Sequence, residues 1–120
     1  MESKIRLVAF FSFLFLFSCK QSSTEIPEGV IPRDSMINIM VDIHLADAVL
    51  QNPMTQSKIG DVPSNNLYKA VMEKYHTNKE RFDKSMDFYT DNPVMLDSMY
   101  DNVIEKLSLI QSIGYKDSLK

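Results

Sequence analysis

Three residues near the middle of the chain have the types and the spacing that could do chemistry. Asp42, His44 and Asp47 lie close together in a segment with helical spacing. Residues two apart on a helix point about 200° away from each other, so Asp42 and His44 cannot hold one ligand together. His44 and Asp47 are three apart and can meet. A carboxylate in that position would raise the pKa of the imidazole and fix its orientation.

This pair allows two interpretations. In the first, His44 packs within an apolar helix and Asp47 accepts a hydrogen bond from the imidazole, because buried polar groups generally need partners. In the second, the two residues form the centre of a small enzyme. We expect the first, so we assign no catalytic residue. Asp42, His44 and Asp47 remain a candidate functional surface.

The other polar residues do not suggest a metal or cofactor site. A zinc site needs three or four ligands, and His76 is the only imidazole besides His44. Asp97, Asp101 and Glu105 form an acidic line on a predicted helix, where a solvated face is expected rather than a calcium loop. The three glycines lie in predicted connections and not in a phosphate-binding loop. We therefore expect neither a metal nor a cofactor.

The N-terminal residues carry a different kind of chemistry. Two basic residues in positions 1–6 precede an apolar run over 7–17. About eleven apolar residues are too few to cross a bilayer but suit the core of an export signal. The run ends in Leu16-Phe17-Ser18-Cys19, which resembles the lipobox of bacterial lipoproteins. Residues 1–18 are accordingly predicted to be a signal peptide, and Cys19 to become a lipid-modified N-terminus.

An ordinary signal peptide cut elsewhere is the alternative, and it would leave Cys19 as a free thiol in an oxidising compartment. Acyl chains on Cys19 would anchor a small protein stably in a membrane. Lys20 follows the cysteine. By resemblance to lipoprotein sorting rules, the absence of Asp at that position favours the outer membrane. Residues 21–25 lack an acidic cluster resembling a surface-export signal, so we expect the protein to face the periplasm.

Composition limits what the mature chain can bind. Removing residues 1–18 leaves eleven basic and fifteen acidic side chains, a net charge of −4. Nucleic acid normally requires a clustered positive face, so no nucleic-acid partner is expected. Five of the seven phenylalanines lie in the removed segment, which leaves a modest core. Chains this short often gain stability from a partner or from a second copy.

The mature chain divides into a tether and one domain. The polar composition of residues 19–31, which include a proline and a glycine, predicts a flexible lipidated tether. Residues 32–120 show helical spacing, with no long strand alternation and no internal repeat. We expect an all-α fold, a small bundle of about four helices.

Capping residues and prolines predict where these helices begin and end. The first helix is apolar around most of its circumference and should be the most buried. It should be followed by a loop over 51–63, because Pro53 disfavours helix at the residue before it. Ser64 is a good N-cap for the second helix, and Thr77 or Asn78 for the third.

The third and fourth helices have their own signals. Glu80 and Lys84 form a favourable i, i+4 pair. Asp91-Asn92-Pro93 predicts that one helix stops and the next begins, and Gly114 is placed to end the last helix. The inner face of that last helix is expected to consist of Leu96, Met99, Tyr100, Val103, Leu107 and Ile110.

Several of these segments together resemble a known family. The stretches Ile31-Pro32-Arg33-Asp34-Ser35-Met36 and Asp42-Ile43-His44-Leu45-Ala46-Asp47-Ala48 resemble the opening of domain of unknown function 4296. The resemblance covers roughly residues 31–107 and implies a compact helical domain in an envelope lipoprotein of the Bacteroidetes. Asp47 stands where Glu is expected, which preserves the charge. The later residues that fit are Lys74-Tyr75, Phe82, Ser85, Tyr89, Asn92-Pro93, Leu96, Tyr100 and Val103.

The family brings no activity, so the lipid-bearing Cys19 is the only residue with an assigned role. We expect a non-enzymatic, membrane-anchored module that binds another envelope protein, and a homo-oligomer is also compatible with the sequence. The alternatives are a chaperone-like holdase for exported proteins and the small enzyme using His44 and Asp47. Met is flexible and suits varied apolar partners. We expect at least five of the seven mature methionines in the core and Met54 exposed.

Overall fold

The computed structural model describes residues 25–60 and 63–118, with side chains except at Ile59 and over 115–118. The predicted signal peptide and Cys19 lie outside these residues. Within the described ranges the chain is helical and contains no strand, which confirms the all-α prediction. The helices, in order, are α1 (Arg33–Gln51), α2 (Pro53–Ile59), α3 (Ser64–Lys74), α4 (Lys79–Thr90) and α5 (Pro93–Ser118).

The first helix is the centre of the bundle, as its composition predicts. α1 packs against α2, α3 and α5. Its side chains are buried on several sides of the helix, because a helix surrounded by others must be apolar around most of its circumference. Arg33, in its first turn, donates a hydrogen bond of 3.0 Å to the hydroxyl of Ser98 in α5. The buried residues of α1 are Met36, Ile37, Ile39, Met40, Val41 and Ala46.

The prediction of a loop over 51–63 is wrong for most of its length. α1 does end at Gln51, but Asn52 and Pro53 start a new helix at once. The side chain of Asn52 accepts a hydrogen bond of 2.9 Å from the amide of Met54, and Pro53 occupies the first helical position, where its missing N–H costs nothing. Asn-Pro therefore restarts the helix here, as it does again at residues 92 and 93.

Two other helix ends differ from expectation. Ser64 is the first residue of α3 and makes no capping hydrogen bond, because Pro63 holds the cap position. Gly114 does not end α5, which continues to Ser118. Asn78 does cap α4, since its side-chain oxygen accepts a hydrogen bond of 2.8 Å from the amide of Arg81.

The segment before α1 belongs to the core, so the predicted tether over 19–31 is too long. Val30 and Ile31 are only 6% and 3% exposed, and Ile26 packs against the same cluster. Pro27 and Gly29 form a tight turn: the amide of Val30 donates to the carbonyl of Pro27, and Gly29 has the positive φ of 88° that this turn requires. The folded domain therefore begins by about residue 26.

Two side chains of α4 hold this segment by its backbone. The amide of Ile31 donates to the hydroxyl of Ser85 at 2.8 Å, and Tyr89 donates to the carbonyl of Ile31 at 2.7 Å. Ser85 in turn donates to the carbonyl of Arg81. Ser85 and Tyr89 are both fully buried, so these bonds are shielded from water. Burial also raises the pKa of Tyr89 above its ordinary value, which keeps the hydroxyl protonated.

α5 covers the bundle with only its first half. Met99 and Val103 are buried, and Leu96 and Leu107 pack against the core. Tyr100 and Ile110, which were expected on the inner face, are 40% and 42% exposed.

The methionine prediction is confirmed, since six of the seven mature methionines lie in or against the core and Met54 is 70% exposed. No helix within the described residues is long and apolar enough to cross a membrane.

The hydroxyl of Ser85 gives a direct test of the buried backbone bond. Ser85→Ala should lower the free energy of unfolding by about 1–3 kcal/mol, because the amide of Ile31 would be left buried without an acceptor. The matched control is Ser112→Ala, which removes an exposed hydroxyl bonded to its own helix and should change stability by less than about 0.5 kcal/mol. Urea unfolding followed by circular dichroism measures both. Equal stability of the two variants would contradict the assigned hydrogen bond.

Candidate functional site

The two carboxylates singled out in the sequence both point towards α3. Asp42 accepts hydrogen bonds from Lys74 Nζ at 2.6 Å and from the Tyr75 hydroxyl at 2.8 Å. Asp47 accepts a hydrogen bond from the hydroxyl of Tyr68. Because the later residue of α1 meets the earlier residue of α3, the two helices run antiparallel.

The expected contact between His44 and Asp47 is wrong. His44 is exposed, and no hydrogen bond or ion pair joins it to Asp47 among the residues described. Asp47 instead bonds Tyr68, which reaches it from α3. Spacing along one helix shows which side chains can meet, but it does not show which neighbouring helix competes for them. Asp42 and Asp47 therefore share the α1–α3 interface, and His44 lies apart from it.

These contacts shift the ionisation of their partners. The hydrogen bond to Asp47 raises the pKa of Tyr68, because ionisation would break that bond and bring two negative charges together. Burial, followed by the hydrogen bond to Asp42, raises the pKa of Tyr75. The same carboxylate raises the pKa of Lys74, whose ammonium also lies 5.2 Å from the centre of the Tyr75 ring. All three groups hold their protons at neutral pH.

A concave space of about 780 Å³ lies between α1, α3 and α4 and is here called the groove. Its apolar lining comes from Ile43 of α1, Tyr68 and Met72 of α3, and Phe82 of α4. Met72 is buried, whereas the other three side chains are half-buried and remain accessible from the groove. A space of this size and composition is typical of ligand and peptide sites.

Charged residues along the rim of the groove are paired within their own helices. Lys69 and Glu73 of α3 form an ion pair at 3.7 Å. Lys79 and Asp83 of α4 form a second pair, also four residues apart. The expected pair of Glu80 and Lys84 does not form within the described chain; Lys84 instead approaches Gly29. Each wall therefore presents a neutral rim, and exposed pairs of this kind contribute little to stability.

The turn between α3 and α4 closes one end of the groove. The amide of Thr77 donates to the carbonyl of Met72, and the amide of His76 donates to the carbonyl of Glu73. These two bonds form a Schellman motif, with His76 in the left-handed position at φ 50°, where glycine is more usual. The hydroxyl oxygen of Thr77 is buried along the groove and has no hydrogen-bond partner in the described chain.

The sequence alone did not identify the groove as a site. Its apolar residues have the helical spacing of ordinary core residues, and only their incomplete burial marks them as a site. Thr77 carried no signal beyond its capping potential. The paired charges could have been found from their spacing of four residues. The described residues contain no group of three or more His, Cys, Asp or Glu that could hold a metal ion.

The fold and the groove define a small all-α domain with an apolar recess between three helices. Residues 27–112 match the model of the family described as domain of unknown function (DUF4296), and the protein belongs to that family. This confirms the resemblance seen in the sequence and extends it to the turn at Pro27. Neither the curated proteins nor the solved structures gave a match to the chain.

The carboxylate of Asp47 should control the ionisation of the tyrosine that lines the groove. Asp47→Asn removes the negative charge that opposes ionisation, so the pKa of Tyr68 should fall towards its ordinary value. NMR titration of chains labelled with ¹³C at the tyrosine ring carbon bonded to oxygen measures this. Asp42→Asn is the matched control: it should lower the pKa of Tyr75 and leave Tyr68 unchanged. An unchanged Tyr68 in Asp47→Asn would show that the contact is absent in solution.

Proposed function

We propose that the protein is an outer-membrane lipoprotein facing the periplasm, whose helical domain binds one other envelope protein through the groove. The role is binding rather than catalysis. The observation that carries this proposal is the accessible apolar lining of the groove. Four large apolar side chains from three helices converge on a space of about 780 Å³, and the fold leaves three of them only half-buried.

The rim of the groove defines the chemistry of its occupant. The four rim charges are neutralised in two pairs, so they offer no net attraction to an acidic or a basic ligand. The apolar lining favours large aliphatic or aromatic side chains. An uncharged, apolar segment of a partner protein meets both conditions.

The contacts of the carboxylates support a binding role over an enzymatic one. General acid–base catalysis needs a titratable group that can reach a reacting atom. Asp42 and Asp47 instead accept hydrogen bonds from Lys74 and Tyr68 of α3, and His44 is exposed on α1. The groove presents a single methionine, Met72, so it lacks the methionine-rich lining that suits a general holdase.

The support for a lipid anchor comes from the sequence. The basic start, the apolar run and the lipobox together predict acylation of Cys19, and two or three acyl chains hold a small protein on a membrane. Mass spectrometry of the mature N-terminal peptide tests this directly. A diacylglycerol-modified Cys19 is expected, and an unmodified thiol at that position would contradict the anchor.

Crosslinking in cells tests the groove. A photoreactive amino acid replaces Lys69 on the rim of the groove, and the same amino acid replaces Asp101 on the exposed side of α5 as a control site. The first site should yield one discrete crosslinked species, and the control site should not yield it. Asn65 lines the groove and its neighbour Asn66 does not, although both are exposed. Asn65→Trp should therefore reduce the crosslink several-fold by filling the groove, and Asn66→Trp should leave it intact.

Each other outcome counts against the proposal in a defined way. A broad mixture of crosslinked proteins would replace the single partner with a holdase role. Crosslinks only between two copies of the chain would make the groove a self-association site. Equal crosslinking in Asn65→Trp and Asn66→Trp would show that the partner does not enter the groove.

A further inference from the structure

The last helix carries an apolar surface that the bundle does not cover. α4 and α5 pack against each other and are joined by two residues, and so short a connection places neighbouring helices antiparallel. α5 has 26 residues and α4 has 12, so α5 extends about 20 Å beyond the start of α4. The burial of its side chains agrees with this extension, since Val103 is buried and Leu109 is 60% exposed. Residues 104–113 are here called the distal part of α5.

Four of the five apolar residues of the distal part lie on one side of the helix. At about 100° per residue, Leu107, Leu109, Ile110 and Ile113 fall within an arc of about 160°, which continues the face that Val103 buries. Leu109, Ile110 and Ile113 are 60%, 42% and 52% exposed. Ile104, also exposed, lies about 180° from Ile113 and therefore on the other side.

The chain that leads to the predicted lipid leaves the domain at the same end. Gly29 accepts a hydrogen bond from Arg81, whereas Ile31 bonds Ser85 and Tyr89 further along α4. The segment therefore runs alongside α4 in the same direction, and the residues before Gly29 lie towards the start of α4. The distal part of α5 extends past that start.

We propose that the distal part of α5 lies in the membrane interface beside the lipid anchor and is the surface by which the domain docks on the bilayer. This inference rests on the acylation of Cys19 in the proposed function and does not depend on the groove. Leu109, Ile110 and Ile113 enter the boundary between headgroups and acyl chains, and the polar side of the helix faces water.

The length of the chain before the domain supports a lipid surface as the occupant. Five residues separate Cys19 from Glu25, the first described residue, and the six steps from one to the other span at most about 21 Å when extended. Because Ile26, Val30 and Ile31 are fixed in the core, no further slack is available. A surface at that end of the bundle, on a domain held this close to the bilayer, meets lipid before it meets a freely diffusing partner.

The charge of the distal part defines the kind of contact. Glu105 and Lys106 are its charged residues, and they cancel. The contact is therefore apolar rather than electrostatic and should not require anionic lipid.

Fluorescence in vesicles tests the proposal on the full acylated protein. Leu109→Cys and, as the matched control, Ile104→Cys are each labelled with nitrobenzoxadiazole and reconstituted into phosphatidylethanolamine–phosphatidylglycerol vesicles containing spin-labelled lipid. The label at position 109 should be quenched at least threefold more strongly than the label at 104. Adding Ile110→Asp and Ile113→Asp should reduce quenching at 109 to the level at 104. Helical content should be unchanged, because these residues lie outside the core.

The remaining outcomes would overturn the proposal. Equal quenching at 104 and 109 would mean that the helix does not present its apolar side to lipid. Quenching that disappears in phosphatidylcholine vesicles would assign the contact to charge. A shielded, unquenched label at 109 together with crosslinked dimers would make this surface an interface between copies. The groove is tested separately, because the Ile110→Asp, Ile113→Asp chain should still give the crosslink from Lys69.

Discussion

The need to satisfy the buried backbone of Ile31 is the constraint on which the arrangement of the helices depends. A buried amide and carbonyl without partners would be costly, and α4 supplies both partners through Ser85 and Tyr89. This fixes the start of α1 against α4. α1 can then pack along α5 and present Asp42 and Asp47 to α3, and the position of α3 beside α4 leaves the groove between them.

The groove and the distal part of α5 follow from where this packing ends. α3 and α4 are joined by the short turn at His76, and Phe82 and Tyr68, which line the groove between them, are only half-buried. α5 is longer than any helix available to cover it. Both surfaces therefore consist of apolar residues that recur at helical spacing and that the bundle leaves uncovered. The carboxylates serve mainly to hold α1 and α3 together.

Helical periodicity predicted the elements better than their contacts. α1, α4 and the Asn92-Pro93 restart follow from apolar spacing and capping chemistry, which are local. Asn52-Pro53 has the same chemistry, but a seven-residue helix provides too little periodicity to be recognised beside a proline. Gly114 suggested an end, yet a glycine within a long helix costs only about 1 kcal/mol and α5 continues. The partner of Asp47, the burial of Val30 and the groove depend on contacts between distant residues, and no local pattern specifies them.

Hydrogen exchange at the amide of Ile31 tests the central claim most directly, since that claim is that the segment before α1 belongs to the folded core. The amide should exchange about 10³-fold or more slowly than in an unstructured peptide, and together with the amide of Met40 in α1, because both open only when the domain unfolds. Exchange at the rate of an unstructured peptide, with Met40 still protected, would contradict the account. The domain would then begin at α1, and the chain from Cys19 would be a longer tether.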